Sequence, residues 1–541
     1  MQGDPTMNTK PPVSSGCGCC SSRRRFLAAG CGVCAASAVS GLFTHLGSLA
    51  GEAGQPGAAA ADRGRNRPRV RLVFACFTIK QERPTWPHIG YDFAPDIERV
   101  TAALRRLCPQ VEFLPAVAHG PEDAKKLLAS GEADRIDGYL VFQMNNWVQV
   151  MQTIVAAGKP TLVADFLFAG SGGFLVYTAG LRRKHKNFSV VASSKIEDLA
   201  ESARCFEVLS KGGATDEFVA ACDRVRRERT PLPDPAPCKD DPLKVADVAD
   251  CLAAMKRAKL LTVGGKMQNL AKEIEQLLGI SVVQIDFKEL AAAYDKADRD
   301  KARELAGRWK SAARAVALDE TDATLEKSAR LYLAQQAVLA THQAEAITIN
   351  CLGGFYGGHL AAYPCLGFVE LLNAGLVGAC EADLLSTATM IAMKHLVGRP
   401  GYISDPVLDT SKRQIIYAHC VAPTKMFGPA GQSNPFEILT HSEDRRGASV
   451  RSFLPLGYMT TTLEIHPGRR EILCHRAKAA ENVVIDRACR TKLAGEVVGD
   501  IEKLFAFWDQ YGWHRVTFYG DLREPLKELA AALKFRFVEE A

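Results

Sequence analysis

The chain has 541 residues, of which 47% are hydrophobic and 24% charged, and a formal net charge of +6. That length exceeds what one hydrophobic core organises and implies two to four domains of ordinary soluble composition. Seven Lys/Arg and three Asp/Glu fall in the first 68 residues, so the remainder is close to neutral and gives no electrostatic case for nucleic acid.

Ser22-Arg23-Arg24-Arg25-Phe26-Leu27 precedes an Ala/Gly/Cys-rich, weakly apolar segment to about Ala50, and a Gly/Ala/Pro stretch then runs to Pro68. The order resembles a twin-arginine export signal with its S-R-R-x-F-L core. The resemblance implies that 1–68 is a leader outside the fold and that the protein is exported, periplasmic or extracytoplasmic, already folded and with any metal loaded. A basic disordered tail is the alternative. Glycines and His45 interrupt the apolar run, which argues against stable membrane insertion after processing. Of 17 cysteines, five lie in this leader, and the other twelve are scattered without CxxC spacing. They read as small buried side chains, not as a disulfide framework or a zinc ribbon.

From Arg69 strands and helices alternate. "VRLVFACF" (70–77) is a continuous apolar run, as in a buried parallel strand, and "VEFLPAV", "DGYLVFQ" and "PTLVADFLF" read as further strands. "DIERVTAALRRL" (96–107), "PEDAKKLLAS" and "WVQVMQTIVAAG" read as helices between them. The expectation over 69–230 is a doubly wound α/β domain. No GxGxxG follows the first strand, so a dinucleotide site is not indicated. A Pro-rich linker (230–242) leads to a second α/β domain over 243–398. Its strands are "KLLTVGG", "ISVVQIDF", "AITINCL" and "LVGAC"; long helices occupy about 288–340, and a Gly-rich turn, "GGFYGGH", occupies 353–359. Over 399–541 the texture becomes β-rich, with "RQIIYAHCVA", "GASVRSFLPL", "YMTTTLEIH", "REILCHRA", "NVVIDRACR" and "HRVTFYG" as strands, one late helix, and a barrel-like domain as the expectation.

Charged residues at strand ends are the candidates for chemistry. Glu381 and Asp383 stand where "LVGAC" passes into a helix, the junction at which open α/β sheets build sites. Taken singly, they also suit a first helical turn, whose dipole favours carboxylates. Asp405 lies in "GYISDPVLD", where a turn-forming Asp-Pro is the plain alternative. His419 ends "IIYAHC" and shares a face with Ile415, Tyr417 and Val421, so a satisfied core histidine is its alternative. His514 follows Trp513 after a glycine turn, where an exposed histidine is the alternative. As a set, Glu381, Asp405, His419 and His514 offer two carboxylates and two imidazoles, donors that suit Mn²⁺ or another divalent ion such as Mg²⁺ or Co²⁺. Such an ion can polarise a carbonyl and an adjacent hydroxyl while a carboxylate carries a carbon-bound proton to the neighbouring carbon. Gln143, Asn145, Asn146 and Trp147, in "FQMNNW" at a strand's C-terminal end, offer amides and an aromatic face for a sugar, or form a plain polar loop. His441, in "THSEDRRGASVR" (440–451), is placed either at the site mouth or on a solvated hairpin.

Three segments carry a family resemblance. "ACEADLLSTATM", "GYISDPVLDTSKRQIIYAHCVAP" and "YGWHRVTFYGDLREPLKELAAALKFRFVEE" resemble the L-fucose isomerase/L-arabinose isomerase superfamily in its two catalytic-carboxylate segments and its C-terminal ending. The resemblance implies two α/β domains and a β-rich third, with metal-dependent aldose–ketose isomerisation through an enediol. It implies Glu381 and Asp405 as ligands and acid/base pair and His514 as a ligand. His419 becomes a ligand by similarity to the arabinose branch, and Asp383 a supporting group or helix cap. It also implies a small-molecule sugar substrate and a homo-oligomer, a trimer or hexamer, whose sites a neighbouring first domain completes. An exported sugar-binding protein without catalysis, and a metal-dependent carbohydrate epimerase or aldolase, are the other readings.

Overall fold

A computed structural model describes residues 67–541 apart from 131, 132 and 266. The twin-arginine motif lies outside the described residues. β1 (Arg69–Ala75), β2 (Glu112–Ala118), β3 (Gly138–Gln143), β4 (Thr161–Asp165) and β5 (Phe188–Val191) form a parallel sheet in the order β2-β1-β3-β4-β5. β3 and β4 are buried throughout, which their unbroken apolar runs require. The order reverses between β1 and β3, so the crevice beyond their C-terminal ends opens at Cys76 and Gln143–Trp147.

β6 (Lys259–Val263), β7 (Ser281–Ile285), β9 (Ala346–Ile349) and β10 (Val377–Ala379) form a second parallel sheet, ordered β10-β9-β6-β7. β8 (Ala315–Ala317) lies apart from it. It pairs with β13 (Phe436–Leu439), which in turn pairs with β14 (Ser449–Ser452). The expected glycine-rich turn after β9 is instead a short helix, Cys351–Tyr356, capped by the Asn350 side chain on the Gly353 N–H at 3.2 Å. The helix Leu384–Val397 is buried on nearly every face, wedged between β10 and the third sheet, with Ser386, Thr387 and Thr389 buried among its apolar residues.

That third sheet is a closed barrel. β11 (Tyr402–Asp409), β12 (Gln414–His419), β15 (Met459–His466), β16 (Glu471–Asn482), β17 (Thr491–Val498) and β18 (Arg515–Tyr519) run in the order β15-β18-β11-β12-β17-β16, and β15 pairs back onto β16. β19 (Arg536–Glu539) adds in parallel to β16. Closure removes the free edges that an open antiparallel sheet would leave. The fold is therefore two parallel α/β sheets followed by a strand-rich barrel, as the alternating and then β-rich texture implies. The expected strand "NVVIDRACR" is different: only its first residues flank β16, and 483–490 form a loop that lies against the first sheet's connections, with Ala488 N–H donating to Pro87 C=O at 3.3 Å. Arg487 serves that contact with its guanidinium 4.5 Å from the Phe166 ring, Asp486 pairs instead with Arg445 and Arg490, and the missing strand is the next segment, β17.

First sheet and barrel are joined by buried charge. Arg226, almost fully buried, donates through Nε and Nη2 to the Glu502 carboxylate at 2.9 and 2.6 Å. Trp147 stacks on Trp513 with ring centroids 4.4 Å apart and planes 10° from parallel. The first sheet's C-terminal rim thus faces one end of the barrel.

Candidate active site

The barrel's hydrogen-bond register brings three of the expected residues together. Asp405 pairs with Ala418 across β11 and β12, and Ser404 pairs with Arg515 across β11 and β18. One further residue on each strand sets Asp405, His419 and His514 at neighbouring positions on one barrel end. Glu381 arrives from the other side, on the turn between β10 and the helix Leu384–Val397. That turn places Glu381 at φ 63° and Ala382 at φ 53°. Two successive non-glycine residues in the left-handed region cost roughly 1–3 kcal/mol each, so surrounding structure must impose the turn. It does so partly by the Ala382 N–H donating to the Ile349 C=O at 3.0 Å. The consequence is that the Glu381 carboxylate swings toward the barrel end.

The four groups converge. His514 Nε2 lies 3.7 Å from Glu381 Oε2 and 3.7 Å from Asp405 Oδ1, and His419 Nε2 lies 3.7 Å from Glu381 Oε1. The donor atoms of Asp405, His419 and His514 lie within 4.8 Å of one another. The two imidazole rings sit 5.5 Å apart. Side-chain exposure is 3% for His419, 4% for His514 and 11% for Asp405, against 36% for Glu381, so the cluster opens to solvent past Glu381. Both His419 ring nitrogens and His514 Nε2 are buried without a hydrogen-bond partner. Buried polar atoms normally have partners. Two carboxylates and open imidazole edges aimed at one point fit a divalent cation of the kind that accepts mixed oxygen and nitrogen donors.

Burial and charge set the protonation states. Burial keeps His419 well below the usual imidazole range, so the ring stays neutral and one nitrogen keeps a lone pair available. Asp405 is pushed up to about 7, chiefly by burial, with the His514 charge opposing. Burial disfavours the His514 cation, but the hydrogen bond to Asp383 and the nearby Asp405 and Glu381 carboxylates outweigh it and raise the group to about 10, so a divalent ion would bind Nε2 by displacing its proton.

Supporting groups fix the orientation. Asp383 caps the helix Leu384–Val397 by accepting the Ser386 N–H at 3.0 Å, and its Oδ2 lies 2.9 Å from His514 Nδ1. It therefore does both tasks the sequence leaves open for it. Trp513 Nε1 donates to Asp405 Oδ1 at 2.8 Å, a role only hinted at by its place beside His514. The Tyr402 hydroxyl accepts the His419 N–H at 2.8 Å. Cys380 Sγ also lies within reach of Glu381 and His419. Its contact with Cys351 Sγ at 3.0 Å and its burial hold the thiol far above the usual range, which leaves it a poor ligand.

The other sequence candidates sit on the facing rim. Gln143 Nε2 donates to the Gly170 C=O at 3.1 Å. Asn145 binds the Trp86 C=O at 2.7 Å and the Phe77 N–H at 3.0 Å. Asn146 accepts the Gly173 N–H at 2.7 Å. These amides hold rim loops in place. Trp147, at φ 65°, carries the stack on Trp513. His441 stacks on Tyr363 at 4.3 Å and lies 3.5 Å from Asp444. Burial disfavours its cation, but Asp444 raises the group to about 9. The first sheet's loop reaches this hairpin directly, with the Ile89 N–H on the Glu443 C=O at 2.7 Å. A separate cavity of about 380 Å³, lined by Trp309, Tyr332, Glu370 and Lys425 among others, shares no lining residue with the cluster.

No protein-family model matches the chain. It is similar to sulfoquinovose isomerases. Relatives of that name from Priestia aryabhattai and Priestia megaterium are each 24% identical over 316 residues, covering 56% of this chain and 68% of theirs. One from Alkalicoccus urumqiensis is 26% identical over 147 residues, covering 27% of this chain and 32% of its own. Among solved structures, a sugar ABC transporter from Yersinia enterocolitica aligns over 56% of this chain and 69% of its own, at 10% identity and a TM-score of 0.15, too low to bear on the fold. Among the described residues, no helix is long and apolar enough to cross a membrane.

Proposed function

We propose that this chain is a divalent-metal-dependent aldose–ketose isomerase that interconverts a free sugar through an enediol. Similarity to enzymes named sulfoquinovose isomerase supports a sugar aldose–ketose isomerase in general. The finer reading is carried by one observation: Glu381, Asp405, His419 and His514 converge with their imidazole edges unpartnered. Mn²⁺, or Mg²⁺ or Co²⁺ in its place, would be held by these four and would supply the positive charge that acidifies the sugar's C2 proton and stabilises developing oxyanions.

The chain's own groups divide the proton work by environment. Asp405, the buried member, relays the O2 hydroxyl proton to the carbonyl oxygen O1. Glu381, the exposed member, takes the proton from C2 and returns it to C1. Trp513 fixes the orientation of Asp405, and Asp383 fixes that of His514. Trp147 and His441 flank the sugar, and Gln143, Asn145 and Asn146 shape the rim around it. The reading includes twin-arginine export, supported by the motif at Ser22–Leu27, and a trimer or hexamer, supported by the family resemblance.

The test is to incubate the Mn²⁺-loaded protein with sulfoquinovose and a panel of neutral aldoses in D₂O. The expected result is a ketose, deuterated at C1 wherever the proton carried by the solvent-exposed Glu381 exchanges before its return, with none formed by Glu381→Gln. Sugar that binds unchanged, or that is inverted at C2 without ketose, would overturn the reading.

A further inference from the structure

Behind the cluster lies a carboxyl that no step above uses. Glu464, on β15, has no exposed surface. Its Oε2 lies 3.2 Å from Ser386 Oγ, and its Oε1 accepts from Thr389 Oγ1 at 2.9 Å. Thr389 Oγ1 in turn accepts the Ile465 N–H at 2.9 Å. Ser386 and Thr389 are three residues apart on the helix Leu384–Val397 and so share the face turned to β15. Ser386 Oγ also lies 3.1 Å from Asp383 Oδ2.

Counting protons decides the arrangement. Ser386 has one hydroxyl proton and stands between two carboxyl oxygens, so one contact must take its proton from the acid. Asp383 Oδ1 accepts the Ser386 N–H, and its Oδ2 faces His514 Nδ1, the nitrogen that carries the ring proton when Nε2 is left free. The Ser386 hydroxyl therefore points at Asp383, and the missing proton sits on Glu464 Oε2. We infer that Glu464 is a neutral carboxylic acid that donates to Ser386, and that through Ser386 and Asp383 it positions His514 with Nδ1–H inward and Nε2 free toward Glu381 and Asp405. The buried surroundings agree, because a second anion this close to Asp383 would be opposed by both burial and repulsion, with the nearby Arg515 as the counterweight. Glu464 is a positioning residue, acting on the ligand through two intermediaries. Its role in metal binding rests on the metal-centre reading; its protonation state does not.

Two measurements test this on the full chain. Infrared difference spectra between wild type and Glu464→Gln at about pH 8, where a free carboxyl is fully ionised, should show a protonated-carboxyl C=O band lost in the variant. Loss of a carboxylate band instead would overturn the inference. Mn²⁺ affinity should fall roughly 10-fold or more in Glu464→Met and in the less invasive Ser386→Ala. Glu464→Gln, which keeps one donor and one acceptor, should stay close to wild type. Wild-type affinity in both Glu464→Met and Ser386→Ala would overturn the positioning role. A wild type that binds no Mn²⁺ would overturn that role together with the metal-centre reading, while the infrared result would still decide the proton on Glu464.

Discussion

Glu381 and Asp405 differ in surroundings more than in chemistry, and that difference assigns their tasks. Removing either carboxylate's ability to move a proton should cost turnover and leave binding largely intact. At Mn²⁺ concentrations that keep the weakened centre loaded, Glu381→Gln and Asp405→Asn should each lower kcat by roughly 10²–10⁴-fold, with the sugar's Kd changed by no more than a few-fold. Direct binding titration beside steady-state kinetics checks this. Asp383→Asn is more selective. It keeps an acceptor for the Ser386 N–H, so the helix should lose less than about 1 kcal/mol, yet it removes the charge from His514 Nδ1. Mn²⁺ affinity should fall roughly 10–100-fold, read by titration alongside thermal melting. Of the clustered residues, Glu381, His419 and His514 are legible in sequence because each lies at or beside a strand end, whereas Asp405, in the middle of β11, is legible only through the family resemblance. Glu464 is not: it sits inside "YMTTTLEIH", where a single carboxylate in a β-branched run looks like an outward-facing residue. Alternation gives no signal either, since residues 460–465 are buried on both sides of the strand alike.

Elements are held in place by charge as well as by apolar packing. Glu471 opens β16 and binds Arg469 Nε at 2.8 Å, Arg536 Nε at 3.1 Å and the Tyr511 hydroxyl, tying β16 to β19 and to the segment before β18. Burial alone would raise its carboxyl, but these donors hold it down to about 2. A carboxyl held below its unfolded value contributes stability above the unfolded pKa of about 4.3 and loses it as pH falls through about 4 to 2. Glu471→Gln should therefore lose roughly 2–3 kcal/mol at neutral pH and show a flatter acid limb in denaturant melts. The sheets of both α/β portions were readable because buried parallel strands are unbroken apolar runs. The barrel was readable only in part. β8 is three residues long, β17 carries Lys492 and Glu496, and the 483–490 loop has β-forming composition although it packs against another sheet's connections. In such segments long-range pairing decides, and local composition does not.

Across the whole molecule, the site exists because three separately wound parts meet. Glu540 takes part: wholly buried, it pairs with Arg515 Nη2 at 3.0 Å and with His475 Nδ1 at 2.8 Å, and Arg515 Nη1 in turn donates to the His514 C=O at 2.9 Å. Glu540→Ala would strand the buried Arg515 charge and should cost about 3–5 kcal/mol, visible as a lower Tm and reduced Mn²⁺ retention. The consequences for turnover and metal binding all rest on the proposal that residues 381, 405, 419 and 514 hold one divalent ion. Metal content after Mn²⁺ loading and desalting tests it most directly. The account predicts one tightly held ion per chain in the wild type and its loss when His419 and His514 are both replaced by alanine in protein that remains folded. A wild type that retains no ion, or a double variant that retains it as well as the wild type does, would contradict it.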